Sequence, residues 1–281
     1  FGDSTLRAGV IYIAVPSGAS AGTYSAKLGL KNATAGCEGY VTDSISVTIN
    51  PTPSVTVDTV YAVCKEALPV TTTLDYSSAT GSPVQYSLTW SAAAIAKGFT
   101  NVSFASSTLN PGSIDIPVPS GALAGTTYKA KLGLKNSTTG CEGYVTDSIS
   151  VFINPTPSVT VDTVYAVCED ALPVTTALNY SSAIGSPDQY SLSWSATAIG
   201  QNFVDISFAD STLRAGVIYI PVPTGALPGS YKAKLGLKNT TTGCEGTVTD
   251  SITVTVNATP TMTTISSASV CKGETSASIT Y

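Results

Sequence analysis

The chain has 281 residues and no histidine, which removes imidazole acid/base chemistry, histidine metal sites and any Ser-His-Asp or Cys-His catalytic arrangement. Charged residues are 11% of the total against 36 Ser and 41 Thr, so the surface is hydroxylated rather than ionic. A net charge of -5 and an isoelectric point near 4.6 give no basic footprint for nucleic acid or anionic lipid, and no apolar run approaches the ~18 residues of a membrane span.

Phe1-Gly2-Asp3 opens without the basic and apolar regions of a signal peptide, and the sequence reads as the interior of something longer. The run FGDSTLRAGVIYIAVPSG at Phe1 returns as FASSTLNPGSIDIPVPSG at Phe104 and FADSTLRAGVIYIPVPTG at Phe208. KLGLKN begins at Lys27, Lys131 and Lys234, and SVTVDTVYAVC at Ser54 and Ser158. A period of 103 to 104 residues is too long for a solenoid unit and fits one autonomous domain. Such arrays serve reach and multivalency more readily than chemistry.

Within each period, short Val-, Thr-, Ile- and Tyr-rich segments alternate with Gly, Pro, Ser and Asn turns, the pattern of an all-β sandwich, and no segment reads as an amphipathic helix. An opening strand is expected to run unbroken from Ser54 to Cys64. In residues 128–153, Tyr128, Ala130, Leu132 and Leu134 share one strand face, and Lys129, Lys131 and Lys135 the other. STTGCEG then turns the chain, and Val145, Ile149, Val151 and Ile153 mark the return strand, with Asp147 at an expected bulge or edge. Proline ends each ladder at Asn50-Pro51-Thr52-Pro53, Asn154-Pro155-Thr156-Pro157 and Asn257-Ala258-Thr259-Pro260. The expected organisation is the C-terminal half of a repeat at 1–50, complete repeats at 51–154 and 155–257, and the N-terminal part of another at 258–281.

The VC that ends each opening strand (Val63-Cys64, Val167-Cys168, Val270-Cys271), the GC of each closing hairpin (Gly36-Cys37, Gly140-Cys141, Gly243-Cys244) and the NPTP joint resemble the tandem PKD-like and Ig-like repeats of giant Bacteroidota surface proteins. That resemblance implies tandem Ig-like/PKD-like β-sandwich domains arranged end to end on the cell surface. It implies export by type IX secretion in many relatives, and the stalk of an adhesin or gliding-type filament.

Six cysteines, two per period, lack a C-x-x-C knuckle and any histidine to complete a zinc site, so they read as disulfides in an oxidising compartment. Neighbours 27 apart (Cys37 and Cys64, Cys141 and Cys168, Cys244 and Cys271) straddle the joints; Cys64 with Cys141 and Cys168 with Cys244 would lie within one repeat; Cys64 with Cys244 would join two. A ten-residue opening strand at roughly 3.3 Å per residue carries Cys64 some 30 Å from the pole where its own repeat's GC hairpin returns, beyond the roughly 4.4–6.8 Å a disulfide spans. The expected pair is Cys64 with Cys244, with Cys37, Cys141, Cys168 and Cys271 finding partners outside this stretch.

Trp90 and Trp194, in QYSLTW and QYSLSW, read as core tryptophans ahead of a sugar-stacking platform. Lys129, Lys131, Lys135, Lys232, Lys234 and Lys238 form either a contact stripe for anionic polysaccharide or a solvated strand face. Seven of twelve aspartates precede Ser or Thr, a pattern similar to the Bacteroidota O-glycosylation consensus, and mark Ser4, Ser44, Thr59, Ser148, Thr163, Ser211 and Ser251 as candidate acceptors; the alternative is turn chemistry. No paired-carboxylate, calcium-loop or phosphate-cradle motif stands out, so neither enzyme nor cofactor is expected. The reading is a structural stalk, with a carbohydrate- or partner-binding module as the alternative. Expected partners are neighbouring repeats of the same long chain, laterally associated copies or polysaccharide, with no nucleic acid and no membrane insertion.

Overall fold

The computed structural model describes residues 9–32, 34–145, 149–247, 251–262 and 265–280. They fall into two compact units, Phe1–Val63 with Ala67–Ile153, and Cys64–Glu66 with Asn154–Tyr281.

The first unit begins with a hairpin of β1 (Gly22–Lys31) and β2 (Glu38–Ile49), paired from Gly22 with Ile49 to Lys31 with Glu38. Then follow β3 (Ser54–Val60), β4 (Val63–Cys64), β5 (Val70–Thr80), β6 (Gln85–Trp90), the helical turn α1 (Ala92–Ile95), β7 (Ser113–Val118), β8 (Thr127–Lys135), β9 (Glu142–Tyr144) and β10 (Ile149–Asn154). Strands β3-β5-β7 form one sheet and β4-β10-β8-β6 the other, with β9 added to β8. Alternation explains the core: Ile114, Ile116 and Val118 of β7 are buried while Asp115 and Pro117 point out, and Leu88 and Trp90 of β6 pair with Leu132 and Ala130 of β8. The two inner faces enclose one core from Val55 to Ile153, an Ig-like sandwich.

The second unit repeats this order with β11 (Ser158–Val161), β12 (Val167–Cys168), β13 (Val174–Ile184), β14 (Gln189–Trp194), α2 (Ala196–Ile199), β15 (Val217–Val222), β16 (Gly229–Lys238), β17 (Glu245–Thr247) and β18 (Ile252–Asn257). Its sheets are β11-β13-β15 and β12-β18-β16-β14, with β17 on β16, around a core from Val159 to Val256.

Two local features depart from the sequence reading. The opening strand is not continuous: β3 belongs to one sheet and β4 to the other, the chain crossing at Tyr61-Ala62. Thr72 Oγ1 donates to the Tyr61 carbonyl at 2.7 Å, and Thr176 Oγ1 does the same to Tyr165, so a buried threonine holds the crossing in each sandwich. The crossing seats Val63 in the core and aligns β12 parallel to β18, Val167 beside Val256 and Cys168 beside Asn257. Single helical turns also follow β6 and β14, each opened by a serine that accepts from the third residue on: Ala94 N to Ser91 Oγ and Ala198 N to Ser195 Oγ, both 3.3 Å. Four residues are too few to carry a helical period. Asp147, the expected bulge, lies outside the described residues.

Candidate functional site

The GC cysteines are presented by one loop built three times. The asparagine ending KLGLKN organises it: Asn136 N donates to the Cys141 carbonyl (3.0 Å), Gly140 N donates to the Asn136 carbonyl (2.9 Å), and Asn136 Oδ1 accepts from Thr138 N and Thr139 N. Asn239 makes the same bonds with Cys244, Gly243 and Thr242, and Asn32 with Cys37, Gly36, Thr34 and Ala35. A lysine–glutamate pair closes the base each time: Lys31 with Glu38, Lys135 with Glu142 and Lys238 with Glu245, at 2.8–2.9 Å. Each cysteine therefore sits at the same place on a preformed turn.

The VC cysteines end β4 and β12. Within the second unit, Cys64 is bonded to Cys244 with Cα atoms 5.5 Å apart at a sequence separation of 180, and Cys244 is buried. Cys37, Cys168 and Cys271 are exposed thiols and Cys141 is half-buried.

The joint prolines pack against glycines. In the first unit Pro53 is buried; a Cβ on Gly143 would run into its carbonyl, and one on Gly81 (φ +65°) would lie 2.8 Å from its nitrogen. In the second, Pro157 meets Gly246 and Gly185 in the same way, and Asn239 Nδ2 donates to the Gly185 and Ser186 carbonyls at 2.9 Å. Beyond the second sandwich Asp170 N donates to Thr259 Oγ1 (3.2 Å), and Thr156 Oγ1 donates to Glu66 Oε1 (3.0 Å). The joint is thus docked backbone, where composition alone shows a stiff spacer.

Lys129, Lys131, Lys232 and Lys234 are exposed on the outward face of β8 and β16. Lys135 and Lys238 differ: beyond their glutamates, their ammonium groups lie 5.5 and 5.6 Å from the ring centres of Phe104 and Phe208. Trp90 and Trp194 are buried, 4.4 and 4.5 Å from Phe99 and Phe203, which stack on Tyr128 and Tyr231, so neither indole offers a face to a sugar.

Of the candidate acceptors, Ser44, Thr59, Thr163 and Ser251 are exposed, and Ser4 and Ser148 lie outside the described residues. Ser211 corrects the motif reading. It is 8% exposed, its hydroxyl accepts from Tyr190 N at 3.0 Å and donates to the Tyr190 and Phe208 carbonyls, and no glycan can attach there without dismantling the sandwich. Ser107 does the same work for Tyr86.

Hydrogen bonds from the Thr240 hydroxyl and backbone hold the Asp188 carboxyl below its ordinary value, hydrogen bonding to Asp75 raises the Tyr61 phenol, and burial raises those of Tyr86 and Tyr190. These are fold-holding contacts, spread over separate loops and strands. Among the described residues no three His, Cys, Asp or Glu side chains gather as a metal site would need, and no helix is long and apolar enough to cross a membrane.

No family model and no curated protein matches the sequence. Solved structures similar to it are sandwich tandems: fibronectin(III)-like modules of Clostridium thermocellum CbhA (14% identity, 73% of this chain and 95% of that one, TM-score 0.34), the FN1–FN3 domains of chicken CNTN1 (13%, 84% and 77%, 0.37) and a chimeric titin Z1Z2 tandem (14%, 74% and 100%, 0.23). The all-β, Ig-like class follows from the sheet order described above, and a disulfide-bearing module of this kind fits a secreted or extracellular setting.

Proposed function

We propose that this chain is a load-bearing stalk segment of an extracellular bacterial surface adhesin or filament, holding a distal tip away from the cell. The observation that carries the reading is the Cys64–Cys244 bond. Covalent connectivity dictates where tension goes: from the N-terminal side to Cys64, across the sulfurs to Cys244, and on towards the C-terminus. With this bond alone, everything between the two cysteines is a closed loop that carries no axial load. Were successive repeats tied by the same rule, only the 27 residues from each GC cysteine to the next VC cysteine would bear tension. That span consists of the return strand, the docked joint and the opening strand. The rest of each sandwich would be shielded from the pull.

Pulling single chains by their ends tests this. The sequence separation of 180 closed by the bond corresponds to about 600 Å of extended polypeptide at roughly 3.5 Å per residue. Oxidised chains should withhold that length at any force that leaves the disulfide intact, and reduced chains should release it. Equal extension in both states would defeat the reading. The exposed pairs Lys129/Lys131 and Lys232/Lys234 favour a second reading, a weak repeated contact with anionic polysaccharide strengthened by avidity.

A further inference from the structure

Burial removes the tryptophans from contact with a sugar, but two other rings of the first sandwich stand in solvent. Tyr144 is 64% exposed and Phe152 is 40% exposed. Both belong to the sheet that carries Lys129 and Lys131, and both are on its outward side. On β8 the buried residues Tyr128, Ala130 and Leu132 alternate with Thr127, Lys129 and Lys131, which face out. On β10, Ile149, Val151 and Ile153 are buried while Ser150 and Phe152 are exposed. Register then fixes the neighbours: Phe152 beside Thr127, Ser150 beside Lys129, Lys131 beside Thr89 and Tyr144 beside Gly133. Gly133 leaves the backbone bare there, and a Cβ on it would come within 3.0 Å of Tyr144 Cε1, so the tyrosine ring lies against the strand.

From Thr127 to Gly133 the outward face thus runs ring, ammonium, ammonium, ring, over about 20 Å of strand. Among the described residues neither Lys129 nor Lys131 is in an ion pair, whereas Lys135 is taken by Glu142. This is a local positive excess on a chain whose net charge is -5. A linear polymer of acidic sugars complements each part of the face. Its acid groups meet the ammonium groups, and the C–H faces of its rings meet the electron-rich faces of the aromatic rings. The second sandwich keeps Lys232 and Lys234 but carries Thr247 and Thr255 where the first has Tyr144 and Phe152. It offers the charge without the rings.

We infer that the outward face of β8, β9 and β10 is a binding site for a linear anionic polysaccharide, whose sugar rings stack on Tyr144 and Phe152 while its acid groups meet Lys129 and Lys131. The inference rests on the polysaccharide reading above and makes it unequal: the first sandwich holds the ligand, and the second adds charge alone. It is independent of the load path through Cys64–Cys244.

The test is calorimetric titration of the whole chain with alginate, a polymer of uronic acids, and with polyglutamate, which has the carboxylates and no sugar ring. Y144T/F152T installs the residues of the second sandwich at exposed positions and leaves every charge in place. It should lower alginate affinity about tenfold or more. K129S/K131S should lower it by a similar factor, and K232S/K234S should bind about as tightly as the parent. Polyglutamate should bind more weakly than alginate, and equally to the parent and Y144T/F152T. Cooperative unfolding in denaturant checks that each variant is folded, and the contrast between the two lysine variants stands without the aromatic one. Alginate affinity unchanged in Y144T/F152T, equal losses in the two lysine variants, or polyglutamate bound as tightly as alginate overturns the inference while leaving a plain charge contact in place. No binding of alginate to the parent chain overturns both.

Discussion

Ser107 and Ser211 each satisfy both the N–H and the C=O of a tyrosine at the start of the tryptophan strand, a position where the strand has no ladder partner on that side. Removing the hydroxyl leaves those backbone groups unpaired at a part-buried site, which costs about 1–3 kcal/mol. Ser211→Ala should therefore lower unfolding stability by that amount in denaturant titration, and Ser107→Ala likewise. From sequence, Asp210-Ser211 is indistinguishable from Asp43-Ser44, because the motif records only the neighbours in the chain. What separates them is which strand lies opposite: Ser44 is exposed and Ser211 is under Tyr190. The tryptophans were legible for the opposite reason. Strand alternation alone puts Tyr86, Leu88 and Trp90 on one side, and an apolar side in a sandwich is the inner one.

Among elements, the hairpins and the core strands follow directly from period-two patterning, and the register of β6 on β8 could be read from Leu88 and Leu132. The joint could not. NPTP announces where a ladder stops, but nothing in its composition says that Pro53 and Pro157 are seated against Gly143 and Gly246, 90 and 89 residues further along the chain. The crossing from β3 to β4 was equally hidden, since Val57, Val60 and Val63 suit one bent strand or two short ones. The seat can be probed with an internal control. Gly143→Ala and Gly246→Ala force a methyl into the proline backbone and should each cost about 1–3 kcal/mol. Gly39→Ala, at the corresponding place in β2, meets nothing within 4 Å and should stay within about 0.5 kcal/mol of the parent chain in the same titration.

For the whole molecule, the sequence-level choice among cysteine pairings rested on the length of one strand and the pole it reaches, an argument about topology that a broken strand weakens. The structure places the sulfurs of Cys64 and Cys244 in one bond, and from that bond, taken alone, follows the shielding of residues 65–243 from tension. Repetition was visible at once, because near-identical runs need no folding argument to be seen. Load paths were not, because they depend on which of several equally spaced cysteines meet. The most direct measurement is a peptide map of the oxidised, unreduced chain by mass spectrometry after thiol blocking. The account predicts one linked pair containing Cys64 and Cys244, released on reduction, with Cys37, Cys141, Cys168 and Cys271 alkylated in freshly purified monomer. A linked peptide joining Cys64 to Cys141, or Cys64 recovered as a blocked thiol, would contradict it.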